Sequence, residues 1–242
     1  MKTVLIIGAA GDVGGGAAME LLAGGHRVIA AGRSETSLQA LQQRAEGRLI
    51  LVPGSVENEA AAQRLLADVR AKAQGPDVVI SSINVMPARR PKTLAEISSD
   101  ELMEAIRLNL ATHFSAAKTF IPALGAGGLY IGIGGGMADF IFPHYGYNSM
   151  IQAALRMMFR YFDAESVTPG VTIKELIIAA MVTSERTPPQ ADAKYNYISD
   201  AEVGRHIRGM VEAPEAFEGA IQWLRSAKQV GQPFAQALTP AR

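Results

Sequence analysis

Residues 8–14 read Gly8-Ala9-Ala10-Gly11-Asp12-Val13-Gly14 and follow the apolar run Val4-Leu5-Ile6-Ile7. Glycines at 8, 11 and 14 permit a tight turn, let backbone approach a phosphate, and let the next helix pack close to the strand. That helix, expected over residues 16–23, would aim its unpaired N–H groups and partial positive charge at the turn. Strand, glycine turn and helix in this order point to a site for the pyrophosphate of a dinucleotide. The plainer alternative is a turn that only packs helix on strand. The second apolar run ends in Ala30-Ala31-Gly32-Arg33-Ser34. An acid there would hold a ribose 2′-hydroxyl, as NAD sites require, and none is present. Arg33 is placed to pair with a 2′-phosphate, so NADP(H) is expected in preference to NAD(H). A solvated Arg33 is the competing reading, and Ser34 suits the N-cap of the next helix in either case.

Possible proton donors concentrate in Pro143-His144-Tyr145-Gly146-Tyr147-Asn148. Tyr145 or Tyr147 is a candidate general acid; packing of the loop is the alternative role. Asn109 interrupts the apolar helical stripe Leu102, Ala105, Ile106, Leu110, Phe114 and Ala117. A polar side chain there needs a buried partner, either beside a site or at a helix bulge. His113, one turn on, is expected to pack. Asp12 and Asp139, as acids, read as isolated surface residues. Four scattered histidines form no metal pattern, and no metal is expected. The absence of cysteine excludes disulfides, Cys-ligated zinc, iron–sulfur clusters and thiol catalysis.

The elements that must position these residues follow from the apolar pattern. Runs at residues 4–7, 28–31, 49–52, 78–80, 129–133 and 173–178 are nearly continuous, as strands covered on both faces are. Stretches of helical period lie between them. Alternation of this kind predicts an α/β fold: a three-layer, doubly wound, Rossmann-like parallel sheet in a single domain over residues 1–242. Residues 219–224 supply an edge strand, for about seven in all. Residues 184–197, with Thr187-Pro188-Pro189, form the longest loop, read as a lid or as a plain surface loop. In the stretch 148–162, Met150, Ala153, Met157 and Tyr161 add a second apolar face. A helix apolar on two sides is buried on two sides, so a homodimer or homotetramer is expected, pairing this stretch and residues 101–117 with symmetry mates. Lys+Arg and Asp+Glu are both 23, which argues against a nucleic-acid partner. No apolar run approaches the roughly 18 residues of a membrane span. The apolar start is too short, and too closely followed by glycines, for a signal peptide, so a cytoplasmic protein is expected.

In order and spacing these segments resemble the short-chain dehydrogenase/reductase family over nearly the whole chain. The turn GAAGDVG stands where the family has TGxxxGxG, and Asp77–Asn84 (DVVISSIN) resembles DxLVNNAG. The helix segment IRLNLATHF resembles the one carrying the family's water-holding asparagine, here Asn109, and GGLYIGIGGG resembles GGxIVxISS. The resemblance implies cofactor contacts at Gly8, Gly11, Asp12, Val13, Gly14, Arg33, Ser34, Ser55 and Ser82. It implies others at Gln152, Val182 and Thr183, the last at the pyrophosphate. It also exposes a departure. The family's serine, tyrosine and lysine fall on Gly135, Asn148 and Gln152; moving the frame to Tyr147 puts Ile151 at the lysine position. Tyr147-Asn148-Ser149-Met150 faintly echoes the tyrosine segment of the family's enoyl-carrier reductases, again without the lysine. The family's Pro-Gly after the sixth strand reads Ile178-Ala179. Three readings stay open: an NADP(H)-dependent oxidoreductase acting on a small activated molecule, a redox-silent NADP-binding sensor or partner-binding protein, and a non-redox reaction in the same pocket.

Overall fold

The computed structural model describes residues 1–85, 92–165, 168–189 and 196–233. Seven strands form one parallel sheet: β1 (Thr3–Ile7), β2 (Arg27–Gly32), β3 (Ile50–Pro53), β4 (Val78–Ser81), β5 (Leu129–Gly135), β6 (Thr172–Ile178) and β9 (Ile221–Leu224). Their order is β3-β2-β1-β4-β5-β6-β9, and every pairing is parallel. The chain winds outward in both directions from β1, so its switch point lies between β1 and β4. Crevices in doubly wound sheets open at the carboxyl ends of the strands beside such a point. A separate parallel pair, β7 (Met181–Thr183) with β8 (Tyr197–Ser199), follows β6 and has no counterpart in the apolar pattern.

Alternation along β1 explains the continuous apolar run. Val4 and Ile6 face α1 (Asp12–Ala23), α2 (Glu35–Arg44) and α7 (Asp200–Glu212), among Ala17, Leu38 and Ile207. Leu5 and Ile7 face α3 (Glu59–Ala73), α5 (Thr112–Phe120) and α6 (Gly146–Ala164), among Leu65, Phe120, Leu155 and Phe159. Burial on both faces keeps residues 4–7 of β1 and 28–31 of β2 wholly apolar.

α1 starts at Asp12, four residues before the helix expected at 16–23. Gly14, Gly15 and Gly16 lower helix propensity but are helical here, and at Gly14 and Gly16 the neighbours require the missing Cβ. A Cβ on Gly14 would collide with the Gly8 carbonyl, and one on Gly16 with the Asp200 carbonyl. Gly204 of α7 meets the Gly16 carbonyl in the same way, so two backbones touch where α1 crosses α7.

The stripe over residues 102–117 is not one uniform helix. α4 (Ser99–Ile106) passes into a π-helical turn, Arg107–Ala111, before α5 begins. Asn109 sits in that bulge. Among the described residues no helix is long and apolar enough to cross a membrane.

Candidate active site

Two cavities meet at the switch point and share Gly11, Ser82, Ile83 and Asn84 in their walls. The smaller, about 230 Å³, runs over Gly8, Gly32 and Ser55 to Arg33. The larger, about 640 Å³, runs past Asp12 and Val13 to Gly135, Asn148, Gln152 and Val182. An apolar annex of about 120 Å³, lined by Met137, Phe140, Phe142 and Met181, opens beside it.

Gly8 makes the turn possible. Its φ is +83°, and a Cβ there would strike the Ser82 carbonyl. The turn closes through Gly11 N–H donating to the Gly8 carbonyl at 3.1 Å. Its helix is then left bare. α2, α3, α4 and α7 each carry a side-chain cap, from Ser34, Asn58, Ser98 and Ser199, whereas Gly11 offers α1 none. The first-turn donors of α1 therefore face the larger cavity with no side-chain acceptor, which is the arrangement that suits an anion. Arg33 is exposed at the far end of the smaller cavity and forms no salt bridge among the described residues.

Asn148 and Gln152 are one turn apart on α6 and share its cavity face, both under 8% exposed. Gln152 Oε1 accepts from Gly135 N–H at 2.6 Å, and Asn148 Nδ2 donates to Met137 Sδ at 3.1 Å. Neither candidate tyrosine reaches the cavity walls. Neighbouring residues on a helix point about 100° apart, so Tyr147 turns with Ile151 into the core, where it is 1% exposed. Its hydroxyl finds no partner among the described residues, and burial raises its pKa. Tyr145 is the half-buried residue before α6, outside the lining of either cavity. The wall of the larger cavity holds no tyrosine and no lysine among the described residues.

Other expected contacts also shift. Gly14 packs on Gly8 instead of lining a cavity. Ser34 is the cap of α2, its Oγ accepting from Ser37 N–H at 3.2 Å. Thr183 belongs to the β7–β8 pair, its Oγ1 donating to the Ile198 carbonyl at 3.4 Å. Asn109 acts one step removed. Its Oδ1 accepts from Val85 N–H and its Nδ2 donates to the Val85 carbonyl, both at 2.8 Å, with a second donation to Ala105 O at 3.0 Å. It thus holds the cavity wall after β4. Asp139 is not isolated but paired with Arg156 at 2.8 and 2.6 Å.

His113, expected to pack, and Asp12, read as an isolated acid and as a cofactor contact, both gain distant partners that no local pattern signals. His113 is wholly buried, with Nδ1 3.1 Å from Ser81 Oγ and Nε2 2.9 Å from the Ile83 carbonyl. A carbonyl only accepts, so Nε2 carries the proton and Ser81 donates to Nδ1. Burial pushes its pKa down to about 4, and this neutral ring braces residues 81–83 beneath the crevice. Burial raises the pKa of Asp12, but hydrogen bonds from Ser184, Arg186 and Thr187 outweigh that and hold it below the ordinary value. No metal-binding group of three appears among the described residues.

Known proteins agree with this architecture. Residues 8–231 match the family model described as enoyl-(acyl carrier protein) reductase. A curated relative, the NADPH-dependent pterin aldehyde reductase of Arabidopsis thaliana, is 24% identical over 125 residues, 51% of each chain. The match thus spans about half of that relative's length. A mutant short-chain dehydrogenase/reductase of Serratia marcescens superposes with TM-score 0.80 at 16% identity, covering 92% of this chain and 95% of that one. An alcohol dehydrogenase of the archaeon Thermococcus sibiricus, complexed with 5-hydroxy-NADP, gives 0.76 at 23%, covering 98% and 100%. Strand order, glycine turn and a family model matched over most of the chain converge: this protein belongs to the short-chain dehydrogenase/reductase family.

Proposed function

We propose that the protein is an NADP(H)-dependent oxidoreductase that acts on a small, already activated organic molecule. The observation that carries this reading is the crevice running from Arg33, past the uncapped start of α1, to the amides of Asn148 and Gln152. The 5-hydroxy-NADP of the Thermococcus structure and the NADPH dependence of the Arabidopsis relative support the choice of cofactor. Bound there, NADP(H) would supply or accept the hydride. Arg33 would hold the 2′-phosphate, and the first turn of α1 the pyrophosphate. Asn148 and Gln152 would orient the reacting groups as neutral amides, and the apolar annex would take the substrate's hydrocarbon part. The absence of tyrosine and lysine among the described residues of the wall favours a substrate that needs little acid help, such as an enone or imine. The same absence favours, as a second reading, a redox-silent NADP sensor.

NADPH at 100 times its Kd is expected to add about 2.7 kcal/mol of stability, a melting shift of roughly 5–10 °C for a chain of this length. NADH should give a smaller shift, and Arg33→Ala should erase the difference. Equal shifts from both nucleotides in the unaltered protein would remove Arg33 from the site. Turnover of an enone or imine panel separates enzyme from sensor.

Assembly belongs to the same proposal. Met150, Met157 and Tyr161 are 51%, 47% and 59% exposed on α6, with Met103 and Phe114 exposed on α4 and α5. This unpartnered apolar surface supports a homodimer or homotetramer that pairs these helices. Light scattering at micromolar concentration should give at least twice the chain mass; a monomer there rejects the assembly.

A further inference from the structure

The carboxylate of Asp12 is held by a segment from the other end of the chain, just past β7. Ser184 Oγ donates to its Oδ1 at 2.9 Å, and Thr187 Oγ1 to its Oδ2 at 3.1 Å. Arg186 donates to Oδ1 through Nε at 3.1 Å and Nη2 at 2.6 Å. Its Nη1 donates to the Ala10 carbonyl at 3.0 Å. Residues 184–187 thus form a strap tied to the glycine turn across 174 positions of sequence.

Charge explains what the tie is for. Asp12 is the first residue of α1, so its carboxylate sits where the bare helix start favours an anion. A pyrophosphate arriving at the same N–H groups would be repelled by it. Among the described residues lining the larger cavity, Arg186 is the one cation. A guanidinium has five N–H donors, and the hydrogen bonds above engage three of its nitrogens once each, leaving two N–H groups without a partner among the described residues. The side chain is 59% exposed, so these can turn to a ligand while the bond to Asp12 persists.

We infer that Arg186 is a phosphate-binding residue of the dinucleotide site, aimed by Asp12, and that the 184–187 strap lies over the pyrophosphate. Asp12 is then a positioning residue and makes no phosphate contact itself. The inference rests on the NADP(H) reading and adds to it the residue that offsets the charge of Asp12.

The test compares NADPH with adenosine 2′-monophosphate, which has the 2′-phosphate but neither phosphate of the pyrophosphate. Arg186→Ala should weaken NADPH by about 10–100-fold, the value of one charge-assisted contact, and leave adenosine 2′-monophosphate within about twofold. Arg33→Ala should weaken both. Without nucleotide, Asp12→Asn should speed tryptic cleavage after Arg186 several-fold, read by mass spectrometry. In the unaltered protein NADPH should slow that cleavage. Unchanged NADPH affinity in Arg186→Ala, or equal losses of both nucleotides, overturns the phosphate role. Should the unaltered protein bind neither nucleotide, the phosphate role falls with the cofactor reading. The tryptic rate of Asp12→Asn decides the strap separately, and an unchanged rate overturns it.

Discussion

A triple variant, G135S/N148Y/Q152K, is expected to reduce unactivated ketones with NADPH about 10²–10⁴-fold faster than the unaltered protein, the usual worth of a positioned general acid. All three positions already line the larger cavity. A Cβ on Gly135 would lie 3.5 Å from Gln152 Oε1, an ordinary contact, so a hydroxymethyl group has space. Asn148 and Gln152 are one turn apart, so a phenol and an ammonium placed there would be neighbours, and the positive charge would lower the phenol's pKa. The substitution has a cost. Gly135 N–H, half-buried in the cavity wall, loses its acceptor on Gln152, at a cost of up to about 1 kcal/mol. The variant should therefore melt a few degrees lower yet keep its NADPH shift. A variant that binds NADPH and still ignores plain ketones would show that these positions do not correspond to the family's serine, tyrosine and lysine.

Stability should fall steeply on the alkaline side, and Glu175 should be the cause. This carboxyl lies in β6, 1% exposed, beside Gly134, with Oε2 unpartnered among the described residues. Burial pushes its pKa up to about 8, opposed by Arg156 and reinforced by Asp139. The unfolded chain ionises the same group near 4.5. Between these values the unfolded state releases a proton that the folded state keeps, so stability declines as pH rises. Two histidines act oppositely. Burial lowers His113 and His206 to about 4, so their contribution is complete above pH 6.5 and lost as pH falls toward 4. Maximum stability is thus expected near pH 6.5. Glu175→Gln removes the alkaline limb. Its stability relative to the unaltered protein should rise by about 4 kcal/mol between pH 5 and pH 8.5, at about 1.4 kcal/mol per pK unit. Urea unfolding at the two pH values measures this; parallel pH dependences in the two proteins would mean Glu175 is ionised in the fold.

What the sequence made legible was local. The runs at residues 4–7 and 28–31 read as strands because both faces of a parallel sheet are apolar, and Gly8 reads as a turn because glycine accepts the positive φ that other residues rarely adopt. What it concealed was set at a distance. Nothing near Gly14–Gly16 announces that α7 will cross there and make helix worth its poor propensity. The π-helical turn has the same apolar stripe as an ordinary helix; Asn109 alone hinted at it. Tyr147 looked chemical beside Asn148, but one step of helical phase separates cavity from core. Asp12 and Arg186 meet across most of the chain, where no local pattern operates.

The contact of Gly16 with Gly204 has a consequence for synthesis. α1 contains three successive glycines, each about 1 kcal/mol worse than alanine in a helix, and so short a helix does not persist without a packed face. Its cover, α7, is made from residues 200–212. At roughly 5–20 residues per second the ribosome delivers that cover about 10–40 s after α1 has emerged. The glycine turn is therefore translated well before the helix that makes it rigid. In that interval Ala17, Ala18 and Leu21 offer their apolar face to whatever chaperone attends the nascent chain.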